Sequence, residues 1–129
     1  MAGDMFHHRY WTVEEADAAR KFVGARLRSL RAARQRLEES DGHAEMAATA
    51  PVSGGAYPGH EHARAAVELA LGIEQLDDLD IVVRDLDEGI VDFPTLRDGE
   101  EVYLCWHEGE PGVRHWHAPE TGFTARRPL

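Results

Sequence analysis

Near residue 80 the spacing of the apolar residues changes period, and this change divides the chain into a helical part and a sheet part. Before it the period is close to 3.6. At 100° per residue, Ala19, Phe22, Val23, Leu27, Leu30, Ala33 and Leu37 fall on one stripe of a helix expected over residues 13–39. Thr12 and Glu15 stand at the spacing of a capping box, in which each side chain bonds the other residue's backbone N–H. Ala66, Leu69, Ala70, Ile73 and Leu76 form the stripe of a second helix, expected over residues 61–79. Residues 40–60 between them are rich in Gly, Ala, Ser and Pro without periodicity, which predicts a mobile loop. Two amphipathic helices joined in this way make an antiparallel hairpin. Its expected seam is Phe22, Val23, Leu27, Leu30, Leu69, Ile73 and Leu76.

After residue 80 the alternation has period two. Strands are predicted over residues 81–85, 90–93, 101–107 and 113–118. The turns Asp87-Glu88-Gly89, Arg97-Asp98-Gly99 and Glu110-Pro111-Gly112 separate them. Short strands with tight turns make an antiparallel meander. Residues 119–129 read as an irregular tail whose Phe123, Arg126 and Arg127 can pack back. The expected fold is therefore α+β: a long helical hairpin on one face of a small four-stranded antiparallel meander sheet, in a single domain over residues 1–129.

Composition narrows the function classes. A net charge of −10 opposes nucleic-acid binding, since phosphate neutralisation by Lys and Arg supplies most of that affinity. Apolar runs such as Val67 to Ile73 fall far short of the ~20 residues of a membrane span. The first ten residues contain Asp4, His7 and His8 and no apolar run, so no export signal is expected. Cys105 is the single cysteine, which excludes an intrachain disulfide and points to a reducing cytoplasm.

Four residues at the third and fourth strands are candidate metal ligands. Tyr103, Cys105 and His107 share one strand face, and His115 and His117 share a face of the next strand. With a five-residue loop between the strands, Tyr103 stands opposite His117 and Cys105 opposite His115. Cys105, His107, His115 and His117 then cluster, and thiolate and imidazole are the ligands preferred by zinc and other divalent transition metals. A four-residue loop scatters them. The bland reading is that Cys105 is a small buried hydrophobe, and the spacing is not a common zinc signature.

Other candidates form a polar set of Arg26, Glu74, Asp85 and Asp92. Arg26 projects near the apolar stripe of helix one and, if buried, needs a carboxylate such as Glu74 or Asp85. Asp85 and Asp92, with Asp87 and Glu88, are possible acid–base groups or ligands of a hard cation. Turn and local backbone chemistry is the stronger reading of them. His60 and His62 are two apart and do not share a helix face. No nucleotide-binding glycine motif and no nucleophile elbow occurs.

Several segments resemble a known family. They are Thr12-Val13-Glu14-Glu15-Ala16, Val83 to Asp87, Gly89 to Pro94, Arg97-Asp98-Gly99, Val102 to Trp106, Gly109-Glu110, Trp116-His117, Gly122-Phe123 and Arg126 to Leu129. Together they resemble the bacterial domain of unknown function 2203. Asp17 departs from the asparagine of that pattern, and nothing carries over to His107 or His115. The family brings no assigned activity. The expected function is therefore a small cytoplasmic binding or accessory protein holding a transition metal on its sheet. The rival is an interaction module whose helices dock a partner or a second copy, with Val67 and Leu71 off the main stripe. A small-molecule enzyme using Asp85, Asp92 and His117 ranks third.

Overall fold

The computed structural model describes residues 7–49 and 58–129. Helix α1 spans Val13–Thr49 and α2 spans Pro58–Asp78. Five strands follow: β1 Val82–Asp85, β2 Ile90–Arg97, β3 Glu100–His107, β4 His115–His117 and β5 Arg127–Pro128, with a 3₁₀ turn at Phe123–Ala125 before the last. The sheet is an antiparallel meander in sequence order. The α+β class stands, with one strand more than expected. The C-terminal segment supplies it, Arg127 pairing with Trp116 and Pro128 with His115.

Helix α1 begins as its sequence dictates. Glu15 N–H donates to Thr12 Oγ1 at 3.1 Å, and Thr12 N–H donates to Glu15 Oε1 at 2.9 Å. The helix passes its expected end at Glu39 and continues to Thr49. Residues 40–49 lack an apolar stripe, but they contain Ala, Glu and Met, which favour helix without one. Of the expected loop, residues 50–57 lie outside the described residues, and Pro58 opens α2 at a position where its missing N–H costs nothing.

The hairpin seam is rotated from the expected one. Val23, Leu27, Leu30, Ala65 and Leu76 are buried, but Phe22 and Ile73 are exposed. Gly72 explains the rotation. A Cβ there would lie 2.6 Å from Leu30 Cδ2, so the missing side chain lets Leu30 sit against the α2 backbone. A glycine leaves no mark in an apolar count, and the seam shifts onto Ala65, Leu69, Gly72 and Leu76. The basic side of α1 divides its partners: Arg36 pairs with Glu68 of α2, while Arg31 and Arg34 pair with Glu108 and Asp87 in the sheet loops.

Helix α2 ends where Asp80 takes φ +54, a left-handed conformation that Asp tolerates better than most residues. Ile81 N–H then donates to the Leu76 carbonyl at 2.9 Å, the long bond of a Schellman closure. Residues 7–11 complete this cap. Trp11 Nε1–H donates to the Leu79 and Asp80 carbonyls, and Asp80 accepts from Arg9 N–H at 2.9 Å and lies 3.0 Å from His7 Nδ1.

The main core lies between hairpin and sheet. Trp11, Val23, Leu27, Leu30 and Leu76 meet Val91, Phe93, Leu104 and Trp106 there. Each such side chain contributes ~1.5–3 kcal/mol by burial. Period two sends the alternate residues, Asp92, Tyr103, Cys105 and His117, to the other face. They are buried as well. The segment expected to be an irregular tail covers that face: Phe123 meets the His107 ring edge-on at 5.2 Å, and Arg126 Nη1 donates to Glu110 Oε1 at 2.9 Å.

Candidate metal centre on the second sheet face

Strand register assembles the site. Asp92 of β2 stands opposite Cys105 of β3, and Cys105 stands opposite His115 of β4. Tyr103 stands opposite His117, so His117 is the diagonal neighbour of Cys105. This is the pairing that a five-residue loop predicts. Two interactions fix that loop: Trp106 Nε1–H donates to the Glu110 carbonyl at 3.0 Å, and Asp17 Oδ1 of α1 accepts Val113 N–H at 3.0 Å.

One ligand-capable atom each from Asp92, Cys105 and His117 lies within 4.8 Å of the other two. The residues are 0%, 0% and 2% exposed. His117 Nε2 is 2.8 Å from Asp92 Oδ2, and His117 Nδ1 is 2.8 Å from the Ala118 carbonyl oxygen. A carbonyl only accepts, so Nδ1 carries a hydrogen and Nε2 faces the cluster. Arg84 Nε, on the strand next to Asp92, donates to Asp92 Oδ2 at 2.8 Å. A bulge between Val83 and Asp85 sits at that residue. Asp92 Oδ1 is buried and has no hydrogen-bond partner among the described residues. Burial pushes the Cys105 thiol up to about 12, and the neighbouring Asp92 carboxylate adds to the shift while Arg126 opposes it.

Of the four ligands expected from sequence, the structure brings Cys105 and His117 together and turns the other two away. His107 Nε2 faces Glu88 Oε2 at 3.5 Å, with its ring against Phe123. His115 Nδ1 lies 3.7 Å from Glu110 Oε2. His107 lies toward Glu88, and His115 Nδ1, near Glu110, is buried without a hydrogen-bond partner among the described residues. Asp92 takes their place. The polar set that contained it is dispersed: Arg26 lies over the Phe22 ring at 5.2 Å, Glu74 is exposed on α2, and Asp85 Oδ1 accepts Glu88 N–H within its turn. His62 lies at Ser40, 3.2 Å from its Oγ. His7, which reads as part of an arm, reaches the site's rim, its Nε2 3.0 Å from the Tyr103 hydroxyl. The signal for Asp92 was an acid between Val91 and Phe93 inside a strand, where a carboxylate is disfavoured without a partner.

The arrangement suits some chemistries better than others. A Cys–His–Asp set suggests a nucleophilic triad, but such a triad needs an imidazole nitrogen for the thiol. Here the ring's nitrogens face Ala118 and Asp92, and the thiol is held neutral. For a cation the same features are favourable. A backbone carbonyl on Nδ1 is the usual outer partner of a histidine that ligates through Nε2. Asp92 and a deprotonated Cys105 offer two anionic ligands, the first of which already faces Arg84.

The family described as an uncharacterized conserved protein (DUF2203) matches residues 9–129. The chain belongs to the DUF2203 family. The match takes in every strand and both helices, so the Asp92, Cys105 and His117 positions of this DUF2203 chain lie inside it. No curated protein and no solved structure matches the chain.

Proposed function

We propose that this DUF2203 protein is a small binding protein that holds a divalent transition metal, zinc or a close neighbour, between Asp92, Cys105 and His117. One observation carries the reading: three different ligand types converge within 4.8 Å under complete burial. A buried carboxylate oxygen without a hydrogen-bond partner is costly, and a cation satisfies it. Sulfur, imidazole and carboxylate together favour zinc over magnesium or calcium, which take oxygen ligands. Asp92, Cys105 and His117 would hold the metal, and its binding would require the Cys105 thiol to give up its proton. Enclosure beneath Tyr103 and the C-terminal segment suits retention of an ion more than turnover of a substrate. A reducing cytoplasm, where a lone thiol persists, is the matching compartment. No helix among the described residues is long and apolar enough to cross a membrane.

The test is elemental analysis of protein produced without a histidine tag, with thermal melts in zinc and in chelator. Near-stoichiometric metal is expected. At a free concentration of ~100 Kd, a metal raises stability by about 2.7 kcal/mol, roughly 10 °C in Tm for a domain of this size. Absence of stoichiometric metal, together with a melting temperature unmoved by zinc, overturns the reading.

A further inference from the structure

We infer that a second copy of this chain docks on the outer face of α2, with the two α2 helices antiparallel about a two-fold axis level with Leu69. Among the described residues, helix α2 is covered on one side only. Its inner face gives Ala65, Leu69 and Leu76 to the fold. Its outer face carries Val67 at 56% exposure and Leu71 at 52%. Four residues apart, they stand one above the other on a helix. Ala63 and Ala70 flank them and are exposed too, small enough for a close helix–helix approach.

Charge selects the occupant and the direction. Arg64 and Glu74 bound the apolar strip, and neither makes an ion pair among the described residues, whereas neighbouring Glu68 is engaged by Arg36. Arg64 stands five residues before Leu69 and Glu74 five after it; Val67 and Leu71 stand two before and two after. An antiparallel two-fold at that level sets Arg64 opposite Glu74 of the second copy and Val67 opposite Leu71 of the second copy. Both relations repeat across the axis, as an isologous interface requires. A parallel pairing sets Arg64 against Arg64 and Glu74 against Glu74. The strip is therefore complementary to itself in one orientation. The metal reading is independent of this surface, which lies on the hairpin side of the sheet.

Analytical ultracentrifugation of the full chain tests the inference. Wild type should sediment as a dimer at tens of micromolar. Leu71→Glu puts charge into the strip and should weaken association by at least about tenfold. Arg64→Glu and Glu74→Arg should each weaken it, and the double variant Arg64→Glu/Glu74→Arg should restore it, because opposite charges then face each other again. These positions are exposed, so circular dichroism should show the fold intact. A wild type that remains monomeric at high micromolar concentration overturns the inference. So does a dimer indifferent to Leu71→Glu, or a double variant no better than either single one.

Discussion

His117 Nε2 and Asp92 Oδ2 lie 2.8 Å apart on strands that are not neighbours, spanning the strand that carries Cys105. Both residues are buried, and the other imidazole nitrogen is tied to a backbone carbonyl. The pair therefore bridges three strands above the thiol.

If a metal occupies this bridge, cobalt substitution should give a thiolate-to-cobalt charge-transfer band in the near ultraviolet. Cys105→Ser should abolish the band. His117→Ala and Asp92→Asn should each weaken metal binding by at least about tenfold, within the usual effect of losing a ligand or its close partner. His107→Ala and His115→Ala should leave it nearly unchanged. A band lost on mutating His115 but kept in Asp92→Asn points to the ligand set expected from spacing alone.

Alkaline denaturation of the metal-free protein should carry the signature of Cys105. Its thiol rises from the ordinary 9 to about 12 on folding, through burial first and Asp92 second. Between these values the unfolded chain releases a proton that the folded chain keeps, so stability falls with rising pH. The contribution is intact below pH 9. Chemical denaturation at several pH values above 9 should show a shallower decline for Cys105→Ala than for wild type. Tyr10, also pushed up to about 12 by burial and its bond to Glu101, leaves a residual slope in both.

Asp17 tests the tie between helix and sheet. Its Oδ1 accepts Val113 N–H at 3.0 Å and Arg20 Nε–H at 2.9 Å, and the Val113 bond is the main cause holding its carboxyl below the usual range. Asp17→Ala should lower Tm by about 2–4 °C, the loss of one such bond in a domain of this size. Asp17→Asn keeps the acceptor and should melt close to wild type. A lowered folded value contributes stability above the unfolded value that is lost as pH falls. Acid melts should therefore decline less steeply for Asp17→Asn.

Gly72→Ala should destabilise although alanine is the better helix former by ~1 kcal/mol. The added Cβ meets Leu30 Cδ2 at 2.6 Å, and Leu30 is packed in the core with little room to turn. Overpacking of this kind costs ~1–3 kcal/mol, and Leu30→Ala alone should cost ~2–5 kcal/mol. In the double variant the clash is gone, so the two losses should fall short of adding. Additive losses in urea titrations count against the Leu30–Gly72 contact.

By itself the sequence determined what local chemistry and periodicity can specify. The capping box at Thr12 and Glu15 set the start of α1, and the change from helical to alternating spacing set the order of helices before strands. The strand pattern put Cys105 with Tyr103 and His107 on one face of its strand and His117 with His115 on one face of the next, because side-chain direction in a strand follows from parity. That the two faces coincide was decided by the five-residue loop. Tertiary structure decided the rest. The α2 seam rotated onto Gly72 because close approach of two backbones depends on a side chain that is missing. Asp92 entered the site because neighbouring strands bring together residues distant along the chain. His107 and His115 stand outside it, near Glu88 and Glu110, whose positions are set only once their loops have folded. The fifth strand formed because β4 offered a free edge, which no pattern within residues 127–128 announces.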